Sequence, residues 1–116
     1  MTPLRLLTEP IGRSELAALA DAGFGDIVKA VVDVRRRVMA IGGELHSDEE
    51  ALLLDDGSEQ KDLWGINLYP EEPGDAMIEY DSLINVRPSQ GNRSREVEDE
   101  GLRAEIRAIV SRLVPE

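Results

Sequence analysis

Apolar positions along the chain alternate between two periods, and the changes of period mark its elements. Residues 1–12 (MTPLRLLTEPIG) hold two prolines and no clear period, which predicts an extended arm with a short strand around Leu4 to Leu7. Leu16, Leu19 and Ala20 then fall at helical spacing behind Ser14, which reads as an N-cap, and Gly23-Phe24-Gly25 ends that helix. Ile27 to Val34 (IVKAVVDV) and Arg37 to Gly42 (RVMAIG) are β-branched and apolar, and read as two strands of a hairpin around Arg35-Arg36. Gly42-Gly43 breaks or bulges the second strand. Ser47 to Gly57 (SDEEALLLDDG) predicts a short helix, with Ser47 and Glu50 as a reciprocal capping box and Asp48 and Glu49 at the positive end of its dipole.

Leu63 to Tyr69 (LWGINLY) and Met77 to Arg87 both alternate with period two, which predicts strands with one covered face. Ile78, Tyr80, Ile84 and Val86 share one side of the second, while Glu79, Asp81, Asn85 and Arg87 share the other. The chain closes on a helix from about Asp99 to Val114, whose apolar stripe is Leu102, Ile106, Ile109, Val110 and Leu113. The order is therefore helix, strand, strand, short helix, strand, strand, helix. It predicts an α+β fold, with a four-stranded, mostly antiparallel sheet and helices flanking one face, built as a single domain over residues 1–116.

Composition narrows the function classes. With 24 acidic residues against 13 basic ones the net charge is -11, which repels polyphosphate backbones and disfavours nonspecific nucleic-acid binding. The acids concentrate between Glu44 and Asp62, where Lys61 is the only lysine or arginine, whereas Asn85 to Arg95 carries Arg87, Arg93 and Arg95 and no acid. Cysteine is absent, which excludes disulfides, thiolate catalysis and cysteine metal sites. No apolar run approaches the ~18 residues of a membrane span, and no signal-like stretch opens the chain, so a cytoplasmic protein without a membrane partner is expected. No cofactor motif is present in the sequence.

The segments VKAVVDVRRRVMAIGGELHSDEEALLL (28–54), LWGINLYP (63–70) and INVRPSQGNRSREVED (84–99), with the closing helix, resemble a family of small, uncharacterised bacterial and archaeal proteins of unknown function. The resemblance runs from about residue 11 to 113. It implies a stand-alone domain and assigns no residue a role.

Two sets of side chains could carry chemistry. His46, the only histidine, lies in Glu44-Leu45-His46-Ser47-Asp48. It titrates nearest neutrality, and as a general base it would be oriented by Glu44 or Asp48. Glu44, His46 and Glu50 are thin support for a metal ion, since catalytic zinc sites commonly use several histidines or cysteines; no metal is expected. The second set is the loop from Arg87 to Arg95, where Asn92, Arg93 and Ser94 add donors suited to a carboxylate or phosphate. Tyr69, Asn85 and Arg87 would extend it across a polar sheet face that also carries Asn67, Glu79 and Asp81, and on the first hairpin Lys29 and Asp33. Trp64 is expected in the core. The favoured reading is a module that binds an anionic ligand or a protein partner, with a homodimer also open. The alternative is a small hydrolase or RNase-like enzyme with His46 as base and Arg87 or Arg93 stabilising negative charge.

Overall fold

The β-branched run VKAVVD forms the centre of the sheet because it is covered on both faces. In the computed structural model, which describes residues 4–115, the elements are β1 (Arg5–Leu7), α1 (Arg13–Ala22), β2 (Val28–Asp33), β3 (Val38–Ile41), α2 (His46–Asp55), β4 (Leu63–Leu68), β5 (Ile78–Glu79) and α3 (Glu100–Leu113). The first three residues of the predicted arm lie outside the described ones. Among the described residues the sheet has five strands, not four, in the order β1-β3-β2-β4-β5, every neighbouring pair antiparallel. The extra strand is the one expected in the arm: it pairs Arg5 with Ile41 and Leu7 with Met39 along the free edge of β3.

Helices pack on both faces, which departs from the one-sided cover expected. Val28, Ala30, Val32, Met39, Ile41, Trp64, Ile66 and Leu68 point toward α1 and α3, where they meet Leu16, Ala20, Ile106, Ile109, Val110 and Leu113. Trp64 is buried there. The opposite parity places Val31, Ala40 and Leu63 against Leu52 and Leu53 of α2 and against Ile84. Lys29, Gly65 and Asn67 continue that second face beyond the reach of the α2 leucines, and Lys29 pairs directly with Asn67.

Several local expectations shift for identifiable reasons. The hairpin does not turn on Arg35-Arg36 alone. Residues 34–37 form a longer turn held by the Asp33 carboxylate, whose Oδ1 accepts the N–H groups of Arg35 and Arg36, both at 2.9 Å, while Arg37 takes φ 61. Helix α1 starts at Arg13, so Gly12 rather than Ser14 is its N-cap. Helix α2 starts at His46 behind Leu45, which puts Ser47 inside the first turn, and no capping box forms.

The predicted strand 77–87 ends after Glu79. From Ser82 the chain turns, with the Ser82 hydroxyl accepting the Ile84 N–H at 3.3 Å and a 3-10 turn over Leu83–Asn85. The edge of β4 at Gly65 is satisfied instead by the Asn85 side chain: Oδ1 accepts the Gly65 N–H at 2.8 Å and Nδ2 donates to the Gly65 carbonyl at 2.9 Å. One amide thus does the work of a paired strand residue. Glycine is required at 65 because a Cβ there would sit 2.6 Å from the Ser82 Cβ.

Helix α2 is fastened through a buried acid. Glu49 is fully buried; its Oε2 accepts the Gly43 N–H at 2.9 Å, and its Oε1 has no partner among the described residues. Desolvation pushes its carboxyl from an ordinary 4.5 up to about 9, outweighing the Gly43 hydrogen bond and the charge of Lys29. The folded state therefore keeps a proton that the unfolded chain loses above 4.5, so this group's contribution is complete below that pH and is lost as pH rises toward 9. At neutral pH the loss is about 3 kcal/mol. Glu49→Gln keeps the shape and removes the titration. Urea denaturation as a function of pH should give a flatter profile and a more stable protein at pH 8 than the parent; an equally steep decline in the variant would place the titration elsewhere.

Candidate functional site

The donor-rich loop after Asn85 is bonded chiefly to its own protein. Asn85 and Asn92 are buried. Besides its two bonds to Gly65, Asn85 donates to the Arg95 carbonyl at 2.9 Å. Asn92 Nδ2 faces the carbonyls of Asn85 and Glu96, each at 2.7 Å, and of Ser94 at 3.1 Å, while its Oδ1 accepts the Glu98 N–H at 2.9 Å. The Arg87 guanidinium stacks over Trp64 at 4.2 Å and donates to the carbonyls of Ile84, Gln60 and Leu63.

The anion received by this loop's backbone donors is its own Glu98, whose carboxylate accepts the N–H groups of Ser94 at 2.8 Å and Arg93 at 3.0 Å. Those contacts, Ser94's first, hold the Glu98 carboxyl below its ordinary range. Arg93 is exposed, and the half-buried Tyr69 donates to Glu79 at 3.3 Å. An irregular loop laid along a sheet edge must supply the hydrogen bonds that a strand would have made, and most of the predicted binding residues serve that need.

The same loop builds one wall of a pocket whose other wall is the start of α2. The cavity is about 240 Å3, with Lys29, His46, Ser47, Ser82 and Arg95 as its polar lining and Leu45, Leu83 and Ile84 as its apolar one. Each is placed by an element already described. Lys29 comes from β2, where its Nζ donates to the Glu44 carbonyl at 2.9 Å and lies 5.0 Å from the Phe24 ring centroid. Ser82, Leu83 and Ile84 are set by the turn that Asn85 pins to Gly65. Arg95 donates to Asp81 at 2.7 Å from a side chain that is 54% exposed. Leu83 is 70% exposed and Leu45 55%, so the rim offers apolar surface without burying it.

His46 is held by the sheet. Its Nε2 lies 2.8 Å from the Ile66 carbonyl, which can only accept, so the ring proton sits on Nε2 and the neutral ring keeps an unprotonated Nδ1. Burial pulls its pKa below 6.5, reinforced by Lys29 and opposed by the Ile66 bond, Asn67 and Asp81. The imidazole is therefore neutral at neutral pH. Beside it, Asn67 donates to Glu79 at 2.8 Å and to the Asp81 carbonyl at 3.1 Å, while its buried Oδ1 completes no hydrogen bond of good geometry among the described residues.

Of the catalytic trio read from sequence, the structure places His46 in this pocket, while Glu44 and Asp48 are exposed and the ring is oriented by a backbone carbonyl instead. The arginine lining the pocket with it is Arg95, not Arg87 or Arg93. Leu45, Ser82, Leu83 and Arg95 were not singled out as binding residues. The available signal was Leu45, apolar between Glu44 and His46, and Leu83, apolar at the polar parity of residues 77–87. Among the described residues no three His, Asp or Glu side chains converge as a metal ion would need. A larger cavity, about 400 Å3, lies between the start of α1, the end of α3 and residues 74–78. There Arg13 donates to the carbonyls of Pro70 and Glu72, both at 3.0 Å, and Asp75 shares the lining, whereas the chain's histidine, His46, lies in the other pocket.

The fold and the pocket define a small α+β domain with a two-sided sheet and one cationic, leucine-rimmed cleft. The chain belongs to a family described as protein of unknown function (DUF5674), whose model matches residues 5–113. No curated protein and no solved structure matches it. No described helix is long and apolar enough to cross a membrane.

Arg87→Lys separates a structural from a ligand-binding role for the loop. Lysine keeps the charge but cannot both stack on Trp64 and serve three carbonyls. Urea denaturation should show a loss of about 1–2 kcal/mol, since the part-buried carbonyls of Ile84 and Leu63 lose a charged donor while that of Gln60 is exposed to water. Unchanged stability would show that these bonds are dispensable to the fold.

Proposed function

We propose that this protein is a binding domain that takes a small anionic ligand in the pocket between the start of α2 and the turn at residues 82–84. One observation carries the reading: Lys29, Arg95 and two serine hydroxyls line the same cavity as the only histidine, beneath an apolar rim. On a chain of net charge -11, a cleft walled by two cations is a local exception that favours an anion over a cation or an extended polyanion. Asn85, Arg87 and Asn92 belong to this reading as the scaffold of one wall, and Arg93 as an exposed neighbour outside it. A protein partner or a second copy of the chain would use the same leucine rim.

A catalytic role is the second reading. The unprotonated Nδ1 of His46 can accept a proton at neutral pH, and Arg95, across the pocket, could stabilise negative charge. Turnover of a bound ester or phosphodiester that stops in His46→Gln would favour it.

Thermal denaturation of the purified protein against small carboxylates, phosphate and nucleotides tests the binding reading. A ligand present at about 100 times its dissociation constant adds about 2.7 kcal/mol, a shift of several degrees for a domain of this size. At least one anion should give that shift in the parent and in Arg93→Ala, and should lose it in Lys29→Met. A shift that survives Lys29→Met and vanishes in Arg93→Ala would return the site to the loop.

A further inference from the structure

From the charges and the size of this pocket we infer that its ligand is a small organic monocarboxylate, its carboxylate against Lys29 and a short apolar body against Leu45 and Leu83. The inference rests on the ligand-binding reading above and narrows it to one chemical class. Arg95 donates to Asp81 at 2.7 Å, so that pair is close to neutral as a unit. The His46 ring is neutral, and the side-chain charges felt at it are those of Lys29 and Asp81.

Among the residues lining the pocket, Lys29 is left as the one charge without an ionic partner among the described residues. Its ammonium carries three protons, of which the Glu44 carbonyl and the Phe24 ring face engage only part. A single net positive charge matches a single negative one. A phosphate dianion would keep an unmatched charge on a protein that already carries -11.

Size and lining complete the class. A cavity of about 240 Å3 lies below the range of pockets for drug-sized ligands and holds about eight water-sized groups. Leu83, Leu45 and Ile84 give those groups an apolar surface, while Ser47 and Ser82 can donate to the second carboxylate oxygen.

Isothermal titration of the full chain at pH 8 with hexanoate, hexanamide and ethyl phosphate tests the inference. Hexanoate should bind, with affinity at least tenfold above that of hexanamide, which has the same shape without the charge, and above that of ethyl phosphate. Lys29→Met should abolish the preference for hexanoate over hexanamide. Leu83→Ser changes only an exposed rim position, so it leaves folding intact, and it should weaken hexanoate severalfold. Tighter binding of ethyl phosphate, lost in Lys29→Met, would overturn the carboxylate assignment and leave the pocket as the binding site. Binding of none of the three would overturn the carboxylate assignment, and no shift with any anion in the thermal series would remove the ligand-binding reading too.

Discussion

One side-chain amide determines how this sheet ends. Beyond Asn67 the outer edge of β4 carries a free N–H and carbonyl at Gly65, and a buried edge group without a partner costs about 1–3 kcal/mol. Asn85 satisfies both, and the bare Cα of Gly65 lets the turn at Ser82 come close enough for it to do so. The segment that would have continued β5 as a strand is bent back across the face of the sheet. Everything after it follows that path: Arg87 locks onto the first residues of β4, Asn92 ties the loop to itself, and Glu98 closes it over the Arg93 and Ser94 amides. The loop is thus a wall with its donors turned inward.

The pocket follows from this wall and from the length of α2. The leucines of α2 cover the sheet face only as far as Val31, Ala40 and Leu63, and the polar pair Lys29–Asn67 lies beyond them. The helix begins there with His46, whose ring proton goes to the Ile66 carbonyl, a backbone acceptor of β4. An apolar core under one end of α2 and a polar cleft under its start are two parts of one face. The division comes from the sequence of β2, in which Lys29 is the one charged side chain of its parity before Asp33.

The two long-period signals were legible without a structure. The closing helix falls within a residue of its expected span, Asp99 caps it through the Leu102 N–H at 2.8 Å, and the stripe Ile106, Ile109, Val110 and Leu113 is its buried face. The strands at 28–33, 38–41 and 63–68 fall inside the runs that predicted them. The break at residue 80 was not legible, because Ile78, Tyr80, Ile84 and Val86 keep period two straight through it. What ends the strand is a long-range contact between Asn85 and Gly65, and no local pattern encodes that. The site was half legible for the same reason. His46 stood out by chemistry and Lys29 by parity, but their meeting with Ser82, Leu83 and Arg95 depends on the turn. Arginines and asparagines in the loop looked like ligand donors because sequence records which donors exist and not which carbonyls they already face.

The location of binding is the point on which this account stands, and backbone NMR of the isotope-labelled protein during titration with hexanoate reads it directly. Shifts should concentrate at Lys29, Leu45 to Ser47, Ser82 to Ile84 and Arg95, with the amides of Arg87 to Ser94 little changed. Shifts centred on Asn92 to Ser94, or on the cavity between Arg13 and Val114, would contradict it.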